Sequence, residues 1–217
     1  GNVARIRVPL SDFNTPSKLT LTLQVEGTAH KNHWNIWLYP KSATADKGSV
    51  TVTSDFRTAA TALRAGDKVL YLPEQSEING IESKFLPVFW SPVHFPKQAG
   101  GMGILTDPAH PALKGFPNDG HSDWQWWCPV KNATVMNLDS IADINTGSPI
   151  VPIVTVIDNF YRNRKLGYLF EAKCGRGTVV VSSINLNIES PEMKSMLKGI
   201  LDYMNSTEFT PEKEISV

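Results

Sequence analysis

The stretch GSVTVTSDFRTAATALRAGDKVLYL, residues 48–72, predicts the fold class of the chain. Its first six and last five residues are rich in β-branched and apolar side chains, as strands are. The apolar residues between them recur at helical spacing, after Ser54 or Asp55 as a cap and before Gly66 as a terminating glycine. A strand, a helix and a strand at this length predict a βαβ unit with parallel strands.

Working outward from this unit, three more elements are predicted towards the C-terminus. Residues 150–157 form an apolar run that is typical of a buried strand. Residues 166–172 and 178–184 flank the glycine-rich CGRG segment, which predicts a hairpin. Ser190 and Pro191 then begin a helix with an apolar stripe that ends near residue 204. We expect the polar residues after it to fray.

The first forty residues have a different pattern. Residues 3–8, 19–25 and 33–39 alternate between apolar and polar side chains, which predicts antiparallel strands from a β-sandwich. The sequence therefore divides into the end of a β-sandwich domain at 1–40, an α/β domain at 48–205 and a polar tail at 206–217. We expect Trp37 and Tyr39 to lie on an exposed face that contacts another domain.

The middle of the chain has weaker signals. Residues 85–90 are apolar enough for a strand. Asp107 and Pro108 predict the start of a short helix that ends near Gly115. Ser122 and Gln125 fit a capping box, which predicts a helical turn carrying Trp124, Trp126 and Trp127.

Composition excludes several classes of protein. The 217 residues are 41% hydrophobic and 19% charged, with a formal net charge of zero, so there is no basic field for nucleic acid. No apolar run is long enough to span a membrane. Gly1 stands directly before strand-like residues, so we expect this chain to be part of a longer protein. Cys128 and Cys174 predict two buried or half-buried thiols, with one disulfide as the alternative for an exported protein.

Motifs for catalysis are missing from the sequence. It has no G-x-S-x-G elbow, no P-loop and no H-E-x-x-H pair, and its five histidines never take the spacing of metal ligands. Cys174 precedes a predicted strand, whereas an amidotransferase nucleophile needs a sharp turn into a helix. We therefore predict no catalytic residue, no metal and no cofactor.

One segment suggests binding. Tryptophan rings stack on the faces of sugars, and HSDWQWW at residues 121–127 places three indoles among polar side chains. DNFYRNR at 158–164 follows the predicted strand at 150–157, where open α/β sheets bind ligands. The candidate ligand-binding residues are His121, Asp123, Trp124, Trp126, Trp127, Asp158 and Arg162. The same tryptophans are also typical of a core or a domain interface, and this alternative stays open.

Four segments carry a resemblance to a known family. WNIWLYP (34–40), GILTDPAHPALKGFP (103–117), HSDWQWW (121–127) and NRKLGYLFEAK (163–173) resemble the C-terminal region of family 2 glycoside hydrolases from gut Bacteroidetes, which include β-galactosidase-like and "sugar-binding" proteins. The resemblance implies a flavodoxin-like, three-layer α/β domain of the class I glutamine amidotransferase type, preceded by a few antiparallel β-sandwich strands at 1–40 that end a jelly-roll-like domain.

The resemblance also implies a function for the chain. The catalytic glutamates of that family lie in a TIM barrel that this sequence does not resemble, so a non-catalytic accessory domain for domain packing or oligomerisation is implied. The implied partners are the catalytic domains of a periplasmic or cell-surface parent enzyme, or a second copy in a homo-oligomer. A carbohydrate-binding module and a degenerate amidotransferase-like enzyme are the alternatives.

Overall fold

The computed structural model describes residues 5, 7–41, 43–82, 94, 101–160 and 162–216. In these residues three α-helices form, α1 (Phe56–Ala65), α2 (Trp127–Val130) and α3 (Pro191–Asn205). The strands are β1 (Ser17–Gln24), β2 (Lys31–Leu38), β3 (Val50–Thr53), β4 (Lys68–Tyr71), β5 (Gly80–Glu82), β6 (Gly103–Thr106), β7 (Thr134–Asn137), β8 (Val154–Ile157), β9 (Leu166–Cys174), β10 (Gly177–Ser182) and β11 (Glu214–Ile215). Short 3-10 turns occupy Gln75–Glu77, Pro111–Leu113 and Trp124–Trp126.

The prediction of a flavodoxin-like, three-layer α/β domain of the glutamine amidotransferase type is wrong. The regular secondary structure of the described residues is mostly β, and nine of its eleven strands form one mixed sheet. The pairs β9–β10, β7–β9, β8–β9, β6–β8 and β5–β7 are antiparallel, and only β3–β4, β4–β10 and β9–β11 among the described strands are parallel. Parallel pairing throughout a flavodoxin-like sheet needs a helical crossover between successive strands. Most connections described here contain no such helix.

The glycine turn between β9 and β10 shows why the sheet is not parallel throughout. The chain reverses within two residues, Gly175 and Arg176, with Gly175 in the left-handed region at φ 62°. Cys174 therefore pairs directly with Gly177, and this predicted hairpin is confirmed. A two-residue reversal enforces antiparallel pairing and leaves no length for a crossover helix.

The predicted βαβ unit is confirmed. β3 and β4 are parallel, with Val50 opposite Lys68. The side chain of Asp55 caps α1 by accepting a hydrogen bond from the Thr58 N–H at 2.7 Å. Gly66 ends the helix in the left-handed conformation at φ 103°. The local signals in this stretch were sufficient because both helix ends depend on neighbouring residues.

The second long helix also begins where the sequence predicts. Pro191 takes the first position of α3, and the Ser190 hydroxyl accepts a hydrogen bond from the Met193 N–H at 3.3 Å. Helix α3 ends at Asn205, whose side chain holds the start of β3 through bonds to Ser49. The side chain of Asn205 therefore links the end of α3 to the first strand of the large domain.

Several predicted elements differ in the structure. Strand β8 covers only 154–157 of the predicted 150–157, because Pro152 has no N–H for a ladder. The predicted helix near 107–115 is a single 3-10 turn, capped by His110 rather than by Asp107. Of the predicted strand at 3–8, the described residues 5, 7 and 8 are not in a strand. The predicted strand at 85–90 lies outside the described residues.

The prediction that the C-terminal tail frays is wrong. Phe209 is buried and packs edge-on against Tyr203, with ring centroids 5.3 Å apart. Strand β11 then adds to β9, where Glu214 pairs with Lys173. A single aromatic anchor and a backbone ladder thus hold a segment whose composition is mostly polar.

The core lies on both faces of the large sheet. Successive strand residues point to opposite faces, so Leu70 and Val180 pack in the larger cluster with Ile200 of α3, while Val69 and Val179 pack with α1. The larger cluster also contains the part of the chain that leads to the candidate site, through Phe116 and Trp126. In the described residues, no helix is long and apolar enough to cross a membrane.

The strands β1 and β2 form a separate antiparallel hairpin. Two polar contacts fix its base to the large domain. The Lys18 ammonium lies 2.6 Å from the Asp119 carboxylate, and the Tyr39 hydroxyl donates to Gln125 Oε1 at 2.6 Å. The ring of Tyr39 also stacks on Phe116, with centroids 6.0 Å apart.

Candidate binding surface

Strand β6 positions the tryptophan segment. His121 forms an antiparallel bridge with Leu105, and the Ser122 N–H donates to the Ile104 carbonyl at 3.2 Å. The Ser122 hydroxyl accepts from the Ile104 N–H at 3.3 Å, so it does not cap the following turn as predicted. Asp123 caps that turn instead, by accepting from the Gln125 N–H at 3.1 Å. The cap therefore begins the turn one residue later than the sequence signal indicates.

The three tryptophans of this segment have different environments. Trp126 is 0% exposed and packs edge-on against Phe116, with ring centroids 4.9 Å apart. Trp124 is 73% exposed and Trp127 is 51% exposed. Residues three apart lie on the same side of a helical turn, so the backbone places these two residues on one side of the segment. The segment thus uses one indole for packing and presents two to solvent.

Gln125 joins the tryptophan segment to the hairpin. Its amide Nε2 donates to the Pro117 carbonyl at 2.5 Å, while its Oε1 accepts from Tyr39. Burial raises the pKa of Tyr39, and the negative charges of Glu192 and Asp123 raise it further. The phenol therefore stays protonated and donates to Gln125 throughout the physiological pH range.

Asp123 is the electrostatically unusual group of this surface. Its Oδ2 is buried and accepts no hydrogen bond from any described residue. Burial raises the pKa of this carboxyl, and the nearby charge of Asp119 adds to the effect, although the Gln125 N–H, His121 and Lys18 oppose it. The Oδ2 atom is shielded from solvent without a donor from the described residues, which disfavours the charged form of the carboxyl.

Asp158 has a structural role in the described contacts. Its carboxylate accepts two hydrogen bonds from the Arg164 guanidinium, each 2.9 Å long, and one from the backbone N–H of each of Arg164 and Asn159. Burial alone raises the pKa of Asp158, but these bonds and the arginine charge outweigh it and lower the pKa to about 2. Arg162 is exposed and takes no part in this ion pair.

The structure divides the predicted ligand-binding set. It places His121, Asp123, Trp124 and Trp127 together on one surface, and it places Trp126 in the core. Asp158 and Arg164 line a separate cleft of about 410 Å³ at the end of β8, and neither exposed indole lines it. Asp123 and Asp158 follow segments on opposite sides of β6, which are about 10 Å apart at ordinary strand spacing.

Sequence reasoning missed three charged residues near the indoles. Lys18 and Asp119 form the ion pair beside Asp123, and the Lys131 ammonium lies 5.8 Å from the ring centroid of Trp127. Lys131 stands four residues after Trp127, which is a helical spacing that could have indicated the contact. Lys18 lies a hundred residues away, and no local signal could have found it.

The cysteines lie in separate places and are both free thiols. Cys174 is buried in β9, and burial raises its pKa. Burial also raises the pKa of Cys128, whose sulfur lies 3.6 Å from the Ser190 hydroxyl. Thiols with a raised pKa are poor nucleophiles. The described residues contain no group of three or more His, Cys, Asp or Glu side chains that could hold a metal ion.

Comparison with protein families gives two matches. Residues 50–217 match a family described as a domain of unknown function (DUF8487), and residues 1–40 match a second one described in the same words (DUF8488). Neither description names an activity or a glycoside hydrolase. No curated protein matches the chain.

Proposed function

The chain belongs to the family described as a domain of unknown function (DUF8487). Because that description names no activity, we propose a function from the chain's own surface. We propose that it is a non-catalytic accessory domain of a family 2 glycoside hydrolase, which packs against a neighbouring β-sheet domain through its N-terminal hairpin. The observation that carries this proposal is the apolar outer face of β1 and β2. The sequence resemblance supports the identity of the parent enzyme.

The apolar face is continuous across both strands. Leu19 lies opposite Ile36, and Leu21 lies opposite Trp34, so their side chains project from one face. Leu19 is half-buried, and five other large apolar side chains of this face are between 42% and 60% exposed: Leu21, Leu23, Val25, Trp34 and Ile36. Isolated exposed apolar residues are ordinary, whereas a contiguous face of this kind marks an interaction surface.

The hairpin directs this face away from its own domain. Lys18 and Tyr39 make the contacts to Asp119 and Gln125, and strand alternation places them on the side opposite Leu19 and Leu21. The polar side of the hairpin therefore faces the large domain at its base, and the apolar side faces outward. This geometry supports a packing function, because the anchored hairpin presents its apolar side to a partner.

The occupant we propose is the apolar face of another β-sheet. A two-stranded hairpin is marginally stable in water, and a sheet with one apolar face is normally covered by a second sheet about 10 Å away. Trp34 is 47% exposed, and an indole buries on the order of 200 Å², so covering it removes about 100 Å² from water. That burial stabilises the contact by about 2.5 kcal/mol.

The first test is the reading frame that encodes this chain. The proposal requires a glycosidase catalytic domain in the same frame, and a frame without one refutes it. The second test measures binding between this chain and the separately produced remainder of that protein by calorimetry. We expect Trp34→Thr to raise the Kd by nearly two orders of magnitude, because a loss of about 2.5 kcal/mol of binding free energy corresponds to that factor.

The control for the second test is Asn35→Thr, which changes the polar side of the same strand. We expect this variant to bind within twofold of the unchanged chain. Equal binding by the Trp34 and Asn35 variants would show that the apolar face is not the contact. A dimer of the chain alone that Trp34→Thr dissociates would identify a second copy as the occupant and would overturn the assignment to a neighbouring domain.

A further inference from the structure

A cavity of about 310 Å³ lies on the face of the large sheet that α1 partly covers. It separates two apolar clusters on that face: Leu63 and Val179 belong to the cluster under α1, and Met136 and Phe170 belong to the other. Val181 contacts both clusters. Protein interiors normally leave few such gaps, and a cavity of this volume with mostly apolar walls is of the size that small organic ligands occupy.

One end of the cavity, which we call its polar end, is formed by Phe56, Tyr71 and Glu77. Phe56 begins α1, Tyr71 ends β4, and Glu77 ends the 3-10 turn that follows β4. The polar end therefore lies at the carboxyl end of the parallel strands β3 and β4, where sheets with parallel strands tend to bind ligands. The rings of Phe56 and Tyr71 meet edge to face, with centroids 6.3 Å apart.

The polar end carries negative charge. Glu77 is the only charged side chain among the described residues that line the cavity, and its carboxylate forms no ion pair with a described residue. Burial raises the pKa of Tyr71, and the negative charges of Glu77 and Asp55 raise it further. Arg57 offsets part of the charge of Asp55 but does not line the cavity. A positive group is thus favoured here over a negative one.

These features restrict the chemistry of a ligand. A carboxylate or a phosphate meets Glu77 and finds no cation among the described lining residues. A neutral apolar compound fills the cavity but makes no use of the carboxylate. An ammonium group pairs with Glu77 and is also attracted to the faces of aromatic rings, of which the polar end has two. An apolar body attached to that ammonium group fits the remaining walls.

We propose that this cavity binds a small organic amine, whose apolar body lies beside Met136 and whose ammonium group lies at the polar end. None of the described lining residues belongs to the N-terminal hairpin. The inference therefore goes beyond the proposed packing function and does not depend on it.

The experiment compares tryptamine, tryptophol and indole-3-propionate, which share an indole ring and carry a positive, a neutral and a negative side chain. Binding is followed by calorimetry and by the methyl signals of the five methionines in ¹H–¹³C NMR spectra. Met136 lines the cavity, whereas three methionines of α3 lie in the cluster on the opposite face of the sheet: Met193, Met196 and Met204.

We expect tryptamine to shift the Met136 signal saturably, with a Kd of roughly 0.1–1 mM, and to leave the signals of the α3 methionines unchanged. Tryptophol should bind about tenfold more weakly, because it lacks the charge that pairs with Glu77 and with the rings. Indole-3-propionate should bind more weakly than tryptophol.

Glu77→Gln keeps the size of an exposed side chain and removes its charge, so the variant should fold as the unchanged chain does. We expect it to weaken tryptamine binding by about fivefold and to leave tryptophol binding within twofold. The matched control is Glu74→Gln, which removes an exposed carboxylate that does not line the cavity. This control should bind tryptamine within twofold of the unchanged chain.

A second pair of variants tests the ring. Phe56→Leu keeps an apolar side chain but removes the aromatic face, and it should weaken tryptamine binding by about threefold. Phe160→Leu changes an equally exposed ring outside the cavity and should have no such effect.

Three results would overturn the proposal. The first is an unchanged Met136 signal at about 10 mM tryptamine, a concentration that detects millimolar affinity. The second is binding of tryptophol or indole-3-propionate as tight as that of tryptamine, which would refute the assignment to an amine. The third is an equal loss of tryptamine binding in the Glu77 and Glu74 variants, which would place the ammonium group elsewhere.

Discussion

The ion pair between Asp158 and Arg164 allows a prediction of stability and of its pH dependence. The Asp158 carboxylate is buried and accepts four hydrogen bonds from the loop that it begins, two of them from the guanidinium. Replacing it by asparagine keeps the shape but leaves a partly buried arginine without its counter-charge. We expect Asp158→Asn to lower the free energy of unfolding by about 3 kcal/mol at pH 7.

The pH dependence follows from the lowered pKa of Asp158. The difference between about 2 in the folded chain and the ordinary 3.8 corresponds to ~2.5 kcal/mol of stabilisation. Because the folded-state pKa is lowered, this stabilisation is present above pH 3.8 and is lost as the pH falls through 2. The stability difference between the unchanged chain and Asp158→Asn should therefore narrow by about that amount between pH 5 and pH 2.

Urea unfolding at several pH values, followed by circular dichroism, measures this difference. The control is Asp202→Asn, which removes an exposed ion pair with Lys198 and should change stability by less than about 1 kcal/mol. A stability of Asp158→Asn within about 0.5 kcal/mol of the unchanged chain would refute the assigned structural role. So would a stability difference that stays constant down to pH 2.

Three further predictions concern other parts of the chain. Burial raises the pKa of Glu171 above 4.5, so its protonated form stabilises the fold at low pH and that stabilisation is lost as the pH rises; Glu171→Gln should remove this part of the pH dependence in urea unfolding. Trp126→Ala should lower the unfolding free energy by about 3–5 kcal/mol in the same assay, because it opens a cavity. Asn132 has φ 61°, so Asn132→Ala should be about 1 kcal/mol less stable than Asn132→Gly by thermal unfolding.

The elements that sequence reasoning predicted well are those that nearby residues specify. Asp55 and Gly66 bound α1, Ser190 begins α3, and two residues after Cys174 reverse the chain. Each signal acts within about four residues, through a side chain that satisfies a backbone group or a glycine that adopts a left-handed conformation. Such signals have the same meaning in any fold, so they hold even though the predicted fold class is wrong.

The candidate site was predicted only in part, because local signals do not show which of its side chains face the core. The spacing of Trp124, Trp126 and Trp127 shows that they share a turn, but the sequence does not show which side of the turn faces the core. The packing of Phe116 buries Trp126 and leaves the other two at the surface. The sequence likewise suggested Asp158 and Arg162 as ligand-binding residues, whereas in the folded loop the Asp158 carboxylate pairs with Arg164.

The prediction that the Trp37 and Tyr39 face of the hairpin is the exposed one was wrong, since Tyr39 packs on Phe116 and the exposed Trp34 lies on the other face. The ends of α1 and α3, the glycine turn and the strand alternation of the hairpin could be derived from the order of residues, because local backbone chemistry specifies them. The mixed sheet, the burial of one indole among three and the docking of Lys18 on Asp119 could not. These features join residues tens to a hundred positions apart, and they depend on which apolar surfaces are covered together when the whole chain packs. Local patterns carry no information about that choice, since many sheet orders satisfy the same caps, turns and periodicities.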